Sequence, residues 1–414
     1  FLMRNCTLLL FCLAVCARLT AQNPGCDGTR YRDDVFSGIK KTTVQYTTAP
    51  SYFFNQTIDL FVDIYEPEGD AIAKRPVVLL AHGGTFIFGN KQDMKDWCER
   101  YARKGYVAAS IQYRLYPVIP FGFPDSVKII DAAVKAMSDM KAAVRFLNQD
   151  AAGANQFKID PEHIFIGGYS AGAVAALHAA YLDTTDAIEP FIRTALDNNG
   201  GLNGNSGNAA NLSYPFSPGA VVNMSGGLYR RGWITENSVP LVSLHGTADA
   251  TVAYGAGLAA NLVYLEGSGI LHPQAELVGV RNALLTVPDG GHTDIYSNAN
   301  FLPQRDSFTN LSASLLEDLT CTSVSAPELV QAARAWRAYP NPASDLLRLQ
   351  LPAESQSGLV QVQVFDGTGR LALESRAGAD GVSVAGLQPG VYVIRITDLS
   401  RPDLAFPVRQ FVKR

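Results

Sequence analysis

Between a strand-like run, His163 to Gly167, and a helix-like run, Ala173 to Tyr181, stands Gly168-Tyr169-Ser170-Ala171-Gly172. A serine on so sharp a strand-to-helix turn is held in strained backbone geometry with its hydroxyl outward. The glycines flank it where a Cβ would clash at close approach. The helix that follows turns its free N–H groups and positive dipole end toward that hydroxyl, which favours negative charge developing there. The pentapeptide needs a strand before it and a helix after it, so it ties the chain to an α/β architecture. The bland alternative is a packing turn of small residues.

The wider pattern agrees with the functional turn. Val77 to Ala81, Val107 to Leu115, Ile164 to Gly167, Leu241 to His245 and Leu284 to Pro288 are apolar runs of buried-strand length, separated by longer stretches, as in a doubly wound, mostly parallel sheet. Ser126 to Asn148 predicts a helix, with Val127, Ile130, Ala133, Val134, Met137, Met140 and Val144 spaced to put one face on the sheet. Asp183 to Pro218 breaks the rhythm, because Asn198-Asn199-Gly200-Gly201 and Asn203-Gly204-Asn205-Ser206-Gly207 crowd turn formers into one connection. It reads as a long ordered loop, either the wall or lid of a pocket or a surface excursion.

A serine hydroxyl is a poor nucleophile at neutral pH and needs a base beside it. His292, in Pro288-Asp289-Gly290-Gly291-His292 after the last strand-like run, is the best placed of the six histidines. The acid that orients the base should fall between serine and histidine, after the preceding strand. Asp249, in His245-Gly246-Thr247-Ala248-Asp249, does so, whereas Asp289 and Asp294 lie too close to His292 in one loop to orient its ring. His163, His178 and His272 read as structural or solvated. His82-Gly83-Gly84-Thr85 follows directly on the strand ending at Ala81. The amides of Gly83 or Gly84, with that of Ala171, could serve as an oxyanion hole, in which one donor is typically worth about 2.7–4 kcal/mol of barrier. Its alternative is an ordinary glycine turn. His82 reads as shaping its loop and, with Phe86, Phe88 and Tyr169, as a candidate pocket residue, although buried aromatics are more often core.

The chain has 414 residues, more than the roughly 250–300 that one core serves. After Cys321 the composition changes. Thr322 to Ala338 reads as partly helical in its second half. Leu346 to Leu351, Val360 to Phe365, Leu371 to Ser375, Val391 to Ile396 and Ala405 to Val412 then read as strands of a small all-β sandwich. Met3-Arg4, the apolar run Leu8 to Val15 and Leu19-Thr20-Ala21 form a signal-peptide pattern. That run is shorter than the about 20 apolar residues a membrane span needs. The expected organisation is a leader at 1–21, a catalytic domain at 26–322, a linker at 323–338 and a sandwich at 339–414.

With 47% hydrophobic and 17% charged residues and a formal net charge of -4, the chain can build a core and offers no basic field for nucleic acid. Three of its six cysteines, Cys6, Cys12 and Cys16, leave with the leader. Cys26, Cys98 and Cys321 allow one disulfide and one free thiol in any of three pairings, and none has metal-ligand spacing.

Together, the HGG loop, GxSxG, the HGxxD stretch at His245 to Asp249 and the Gly290-Gly291-His292 loop resemble the carboxylesterase and hormone-sensitive-lipase-like branch of the α/β-hydrolases over most of residues 50–300. The resemblance implies hydrolysis of carboxylic esters, usually of short acyl groups, through an acyl-enzyme and without a cofactor. Thr85 departs from the glycine many relatives carry there, which weakens any inference about bulky alcohols. Tyr339-Pro340-Asn341-Pro342-Ala343, Gly367-Thr368-Gly369-Arg370, Pro389-Gly390-Val391-Tyr392-Val393 and the basic Lys413-Arg414 resemble a type IX secretion sorting domain. That implies export to the cell surface or beyond, with the secretion machinery as partner and an acetylated or feruloylated polysaccharide fragment as a possible ester substrate; a carbohydrate-binding or adhesion sandwich is the alternative. Two other function classes stand beside the esterase. A serine peptidase of the same fold would carry a large gating domain upstream, for which the segment before residue 70 is short. A non-catalytic binding protein on a hydrolase scaffold would have no reason to keep all three triad residue types in order.

Overall fold

The computed structural model describes residues 25–53, 56–321, 337–339, 343–350, 360–366, 370–377, 381–398 and 409–414. The expected leader, and all of the expected linker except residues 337 and 338, lie outside the described residues. Eight strands build one sheet: β1 (Ile39–Pro50), β2 (Thr57–Pro67), β3 (Arg75–Ala81), β4 (Val107–Ile111), β5 (Ile159–Tyr169), β6 (Val221–Met224), β7 (Leu241–Gly246) and, after a separate hairpin β8 (Ala256–Ala259) and β9 (Val263–Glu266), β10 (Asn282–Val287). Their order is β1-β2-β4-β3-β5-β6-β7-β10. The six from β4 to β10 pair in parallel, and β1 and β2 add an antiparallel edge.

Every residue of β3 is buried, and alternation sends successive side chains to opposite faces. Val77, Leu79 and Ala81 join one core, with α2 (Ser126–Ala152), α3 (Ala171–Tyr181) and α5 (Ser268–Leu277) over it. Val78 and Leu80 join the other, covered by α1 (Lys95–Arg103) and α6 (Leu302–Cys321). A sheet buried on both faces reads in sequence as continuous apolar runs, which is why the central strands were legible. Among the described residues no helix is long and apolar enough to cross a membrane.

Several expectations need correcting. The strand expected over Val107 to Leu115 ends at Ile111, because Ala81, opposite Ile111, is the last residue of β3. Gln112 donates instead to the Phe61 carbonyl, and the Arg114 amide to the Asp139 carboxylate. Val127, placed on the inner face of α2 by its spacing, is 66% exposed. The 183–218 stretch is more regular than a loop: it contains α4 (Pro190–Asn198), begun by a proline at the first helical position. Residues 337 and 338, expected in a partly helical linker, belong to the strand Arg337–Tyr339.

A buried ion pair anchors that insertion. Arg114 and Asp139 have no exposed side-chain surface, with Nη2 2.9 Å from Oδ1. Ser206, in the asparagine- and glycine-rich stretch, donates to the same carboxylate and accepts from Arg114 Nη2 at 2.8 Å. Removing one partner strands a buried charge, which typically costs about 3–5 kcal/mol. Asp139→Ala is expected to lower the urea midpoint accordingly, with Arg114→Met/Asp139→Leu recovering part of the loss. A shift for Asp139→Ala equivalent to less than about 1 kcal/mol would show that the pair contributes little.

Cys26 and Cys321 form a disulfide spanning 295 residues, and Cys98 is a free, buried thiol. The bond ties the start of the described chain to the end of α6 and closes almost the whole first domain into one loop. Beyond it, β11 (Arg337–Tyr339), β12 (Leu346–Gln350), β13 (Val360–Phe365), β14 (Leu371–Ala377), β15 (Val382–Ser383), β16 (Gly390–Asp398) and β17 (Arg409–Lys413) form two small antiparallel sheets, β11-β12-β15 and β14-β13-β16-β17. Leu347 and Leu349 of the first and Val362, Val364 and Ile394 of the second share one core. This is the expected all-β sandwich.

Candidate active site

Ser170 is the hinge between β5 and α3, with φ 53° and ψ -119°. A non-glycine residue in such a region costs on the order of 1–3 kcal/mol and persists only where its surroundings force it. Those surroundings include the Ala81 carbonyl, which passes so close that a Cβ on Gly168 would lie 2.4 Å from it and one on Gly172 2.1 Å. The two glycines of the pentapeptide are therefore required by the approach of β3.

His292 comes from the loop after β10 and Asp249 from the turn after β7. These loops pack on each other, with the Ala248 amide donating to the Gly290 carbonyl at 3.0 Å. The structure brings the three residues into one line. His292 Nδ1 donates to Asp249 Oδ2 at 2.7 Å, which leaves Nε2 to accept the Ser170 hydroxyl at 2.8 Å. Asp249 Oδ1 accepts the amides of Thr251 and Val252 at 2.9 and 2.8 Å. Burial would raise the pKa of this carboxyl, but hydrogen bonds from His245 and His292, the charge of His292 and the Val252 amide outweigh burial and hold it below the usual carboxylate range. Neither Asp289 nor Asp294 bonds to the ring. Asp294 instead accepts the Ile295 amide at 2.8 Å.

The glycine loop lies against the serine. A Cβ on Gly83 would sit 3.1 Å from that of Ser170, and Gly84 adopts φ +112°. Thr85 and Phe86 follow at φ 54° and 58°, so Thr85 keeps a left-handed conformation that favours glycine. The loop is clamped from below. His82 is fully buried and stacks on Tyr113 at 4.3 Å, with Nδ1 donating to the Gly83 carbonyl, while the Tyr113 hydroxyl donates to the His82 carbonyl. His82 thus buttresses the loop and is not among the residues lining the cavity at Ser170. Phe86 does line a cavity, one that begins at Ser170 and Ala171, whereas Phe88 is 58% exposed and outside it. Tyr169 lies outside it too: its ring stacks on His292 and its hydroxyl donates to the His292 carbonyl at 3.2 Å, so it braces the histidine loop.

One residue near the site escaped the sequence reading. His245 is fully buried, and its Nε2 donates to the Val252 carbonyl at 2.9 Å and sits 3.3 Å from Asp249 Oδ2. Its Nδ1 accepts from Ser268. Asn223 links Ser268 to Ser243, and His272 joins Ser243 to Asn282 at 2.7 Å on each ring nitrogen. Each donor in this chain has an acceptor, with both imidazoles neutral. The available signal was its place four residues before Asp249 at the end of a buried strand.

Burial holds the imidazoles of His272 and His178 down at about 4, against an ordinary 6.5. Between those values the unfolded chain binds protons that the folded one does not, so stability falls as pH drops from 6.5 toward 4. Urea midpoints measured across that range are expected to decline, and His272→Gln to flatten the slope. A midpoint independent of pH there would contradict the neutral, buried assignment.

The strand order, the antiparallel edge and a serine at the β5–α3 elbow define the first domain as an α/β-hydrolase fold. Residues 62–227 match the BD-FAE family model, and residues 337–402 match that of the secretion system C-terminal sorting domain. The chain thus carries an esterase-type α/β-hydrolase domain followed by a sorting domain. Esterase-5C of Drosophila pseudoobscura pseudoobscura is 32% identical over 124 residues, 30% of this chain and 21% of that protein. Esterase-5B of Drosophila persimilis is 29% identical over 143 residues, 33% of this chain and 25% of that one. The chain therefore spans about a fifth to a quarter of the length of these curated relatives. Among solved structures, the thermophilic esterase Est2 of the Planctomycetes species Thermogutta terrifontis aligns in its propionate-bound form with a TM-score of 0.46 and 19% identity, over 67% of this chain and 96% of that one. Its native form aligns with a TM-score of 0.47 and 19% identity, over 71% and 97%.

Proposed function

We propose that the protein is an exported serine carboxylesterase in which Ser170 is the nucleophile, His292 the general base and then acid, and Asp249 the group that orients the histidine. The observation that carries this reading is the hydrogen-bond line from Ser170 through His292 to Asp249, at 2.8 and 2.7 Å, starting from a serine with φ 53°. As Ser170 Oγ bonds to the ester carbonyl carbon, its proton passes to His292 Nε2. The amides of Ala171 and of Gly83 or Gly84 stabilise the oxyanion, and collapse expels the alkoxide, which takes the proton from His292. Water, deprotonated by the same histidine, then attacks the acyl carbon, and Ser170 Oγ departs with the proton returned by His292 as the acid is released.

His245 is a positioning residue whose Nε2 lies beside Asp249 Oδ2, the same oxygen that accepts from His292. The catalytic domain spans 26–322 and is joined by 323–336 to a sorting domain at 337–414 that begins with the strand Arg337–Tyr339. A leader at 1–21 and the type IX machinery take it to the cell surface or beyond, where short-acyl or polysaccharide-derived esters are the substrates.

Hydrolysis of p-nitrophenyl acetate and butyrate, acetylated and feruloylated oligosaccharides and amide analogues by the folded protein tests this. Ester turnover without amide turnover is expected. Cleavage of amides alone would assign a peptidase, and a folded protein that turns over neither would be a binding protein on a hydrolase scaffold.

A further inference from the structure

Asn223, Ser243, His245 and Ser268 have no exposed surface, and His272 is buried with them, where β6 and β7 meet α5. Backbone groups settle where the hydrogens of this network go, because each can play one role only. The Gly226 amide can only donate, and it meets Asn223 Oδ1 at 2.9 Å. The carboxamide therefore turns its NH₂ away, toward Ser243 at 3.0 Å and Ser268 at 3.2 Å. The Val252 carbonyl can only accept, so the proton of His245 is on Nε2. Its Nδ1 is then a lone pair, 2.9 Å from the Ser268 hydroxyl. The Val280 carbonyl takes the NH₂ of Asn282 at 3.0 Å, which leaves Asn282 Oδ1 to accept from His272 Nδ1 at 2.7 Å. His272 Nε2 is then the lone pair that meets Ser243 at 2.7 Å.

The directions agree. Asn223 gives one hydrogen to each serine and each serine passes its own to an imidazole, so the two rings hold opposite tautomers. This needs a donor at position 223. An acceptor there would draw both hydroxyls to itself and leave His245 Nδ1 facing an oxygen lone pair. The hub is also tied to the nucleophile helix. Gly226, whose amide orients Asn223, lies against the first turn of α3, where a Cβ on it would stand 2.5 Å from that of Ala173.

We infer that Asn223 is a positioning residue for the hydrolysis. By way of Ser268 it keeps a proton off His245 Nδ1, so that a neutral ring presents its Nε2–H beside Asp249 Oδ2, the oxygen that accepts from His292. The inference rests on the triad reading and adds to it a residue one serine and one imidazole removed from the acid. A neutral N–H at 3.3 Å leaves the carboxylate its full charge to hold the His292 imidazolium that forms as Ser170 attacks. An imidazolium in its place would compete with His292 for the same oxygen and weaken His292 as a base.

The test reads the ring protons of the whole protein by NMR, without substrate, with the histidines labelled with heavy nitrogen. His245 is expected as the neutral Nε2–H tautomer and His272 as the neutral Nδ1–H tautomer, each assigned by the loss of its resonances in His245→Gln and His272→Gln. A wild-type His245 protonated on Nδ1, alone or together with Nε2, overturns the inference whatever the protein hydrolyses.

Asn223→Asp keeps the size of the side chain and the bond from Gly226, but donates to neither serine. The Gly226 amide and the two hydroxyls would hold its carboxyl ionised, and His245 is expected to take a proton from solvent onto Nδ1. In the folded variant kcat toward p-nitrophenyl butyrate should fall about tenfold or more, with KM within about twofold. In a His245→Gln background the same substitution should cost little further, because its path to Asp249 is already gone. A neutral His245 or undiminished kcat in Asn223→Asp, or losses that multiply in the double variant, overturns the inference. A folded wild type that turns over no ester removes the triad reading instead, a failure the ring spectra do not share.

Discussion

Ser170→Ala is expected to fold normally and to lose on the order of 10⁴- to 10⁶-fold in kcat toward p-nitrophenyl butyrate, with KM little changed. The substitution removes the hydroxyl bonded to His292 Nε2. It leaves the strained elbow, the glycine loop and the cavity beside them in place. What survives is the contribution of the amides of Ala171 and the loop, which in serine hydrolases sustains a residual rate of about 10³–10⁴ over water. Thermal denaturation should be nearly unchanged, since alanine occupies the same φ 53° backbone without the hydroxyl. A variant that stays folded and retains more than a tenth of the activity would remove Ser170 from the chemistry.

Asp249→Asn is the second large effect, expected at about 10⁴-fold in kcat. The carboxylate accepts the Thr251 and Val252 amides on Oδ1 and His292 on Oδ2, with His245 Nε2 3.3 Å from Oδ2. An asparagine that keeps its oxygen on the two amides must turn its NH₂ toward His292 Nδ1. The ring then carries its proton on Nε2, pointing at the Ser170 hydroxyl, where it can no longer accept. Geometry would be preserved and the tautomer wrong. Because the folded carboxyl is held below its ordinary range, the stability it contributes is present above the unfolded pKa of 3.8 and is lost as pH falls through the folded value. The variant should lack that acid-side loss. Less than a tenfold drop in kcat, with His292→Ala still inactive, would mean that another group orients the ring.

The parts of the fold that were legible are those in which one physical demand dominates. Val77 to Ala81 of β3 and Ile164 to Gly167 of β5 are buried on both faces and read as apolar runs, β7 is buried throughout with Ser243 and His245 among its apolar residues, and α3 spans the residues Ala171–Tyr181 set off by the pentapeptide, whereas the polar Asp160 to His163 hid the start of β5. Strand β1 alternates only weakly, with Thr, Lys and Gln facing solvent at a sheet edge, and passed unnoticed. Strand β2 did carry a signal, Leu60, Val62 and Ile64 at a period of two, and all three are buried. Strand β6 has four residues, too few to show a period.

Candidate site residues were legible where chemistry restricts residue type and chain order together, as for Ser170, Asp249 and His292. Residues whose part is decided by packing were not. Tyr169 looked like a pocket residue by adjacency yet braces the His292 carbonyl, and His82, which read both as a pocket residue and as a shaper of its loop, clamps the glycine loop from beneath. The walls of the cavity at Ser170 come from α2, α3 and the β8–β9 region, which are distant in sequence, and an alanine lining a cavity reads like one in a core. His245 has the same difficulty. A histidine ending a buried strand is unremarkable until Asp249 folds back to within 3.3 Å of it.

The most direct test of the central claim is covalent. The protein would be treated with a p-nitrophenyl alkylphosphonate, the release of nitrophenol counted, and the modified peptide located by mass spectrometry. One equivalent of nitrophenol per chain, a phosphonyl group on Ser170 and loss of labelling in His292→Ala are the results this account predicts. Labelling at another residue, or continued ester hydrolysis with Ser170 unmodified, would contradict it.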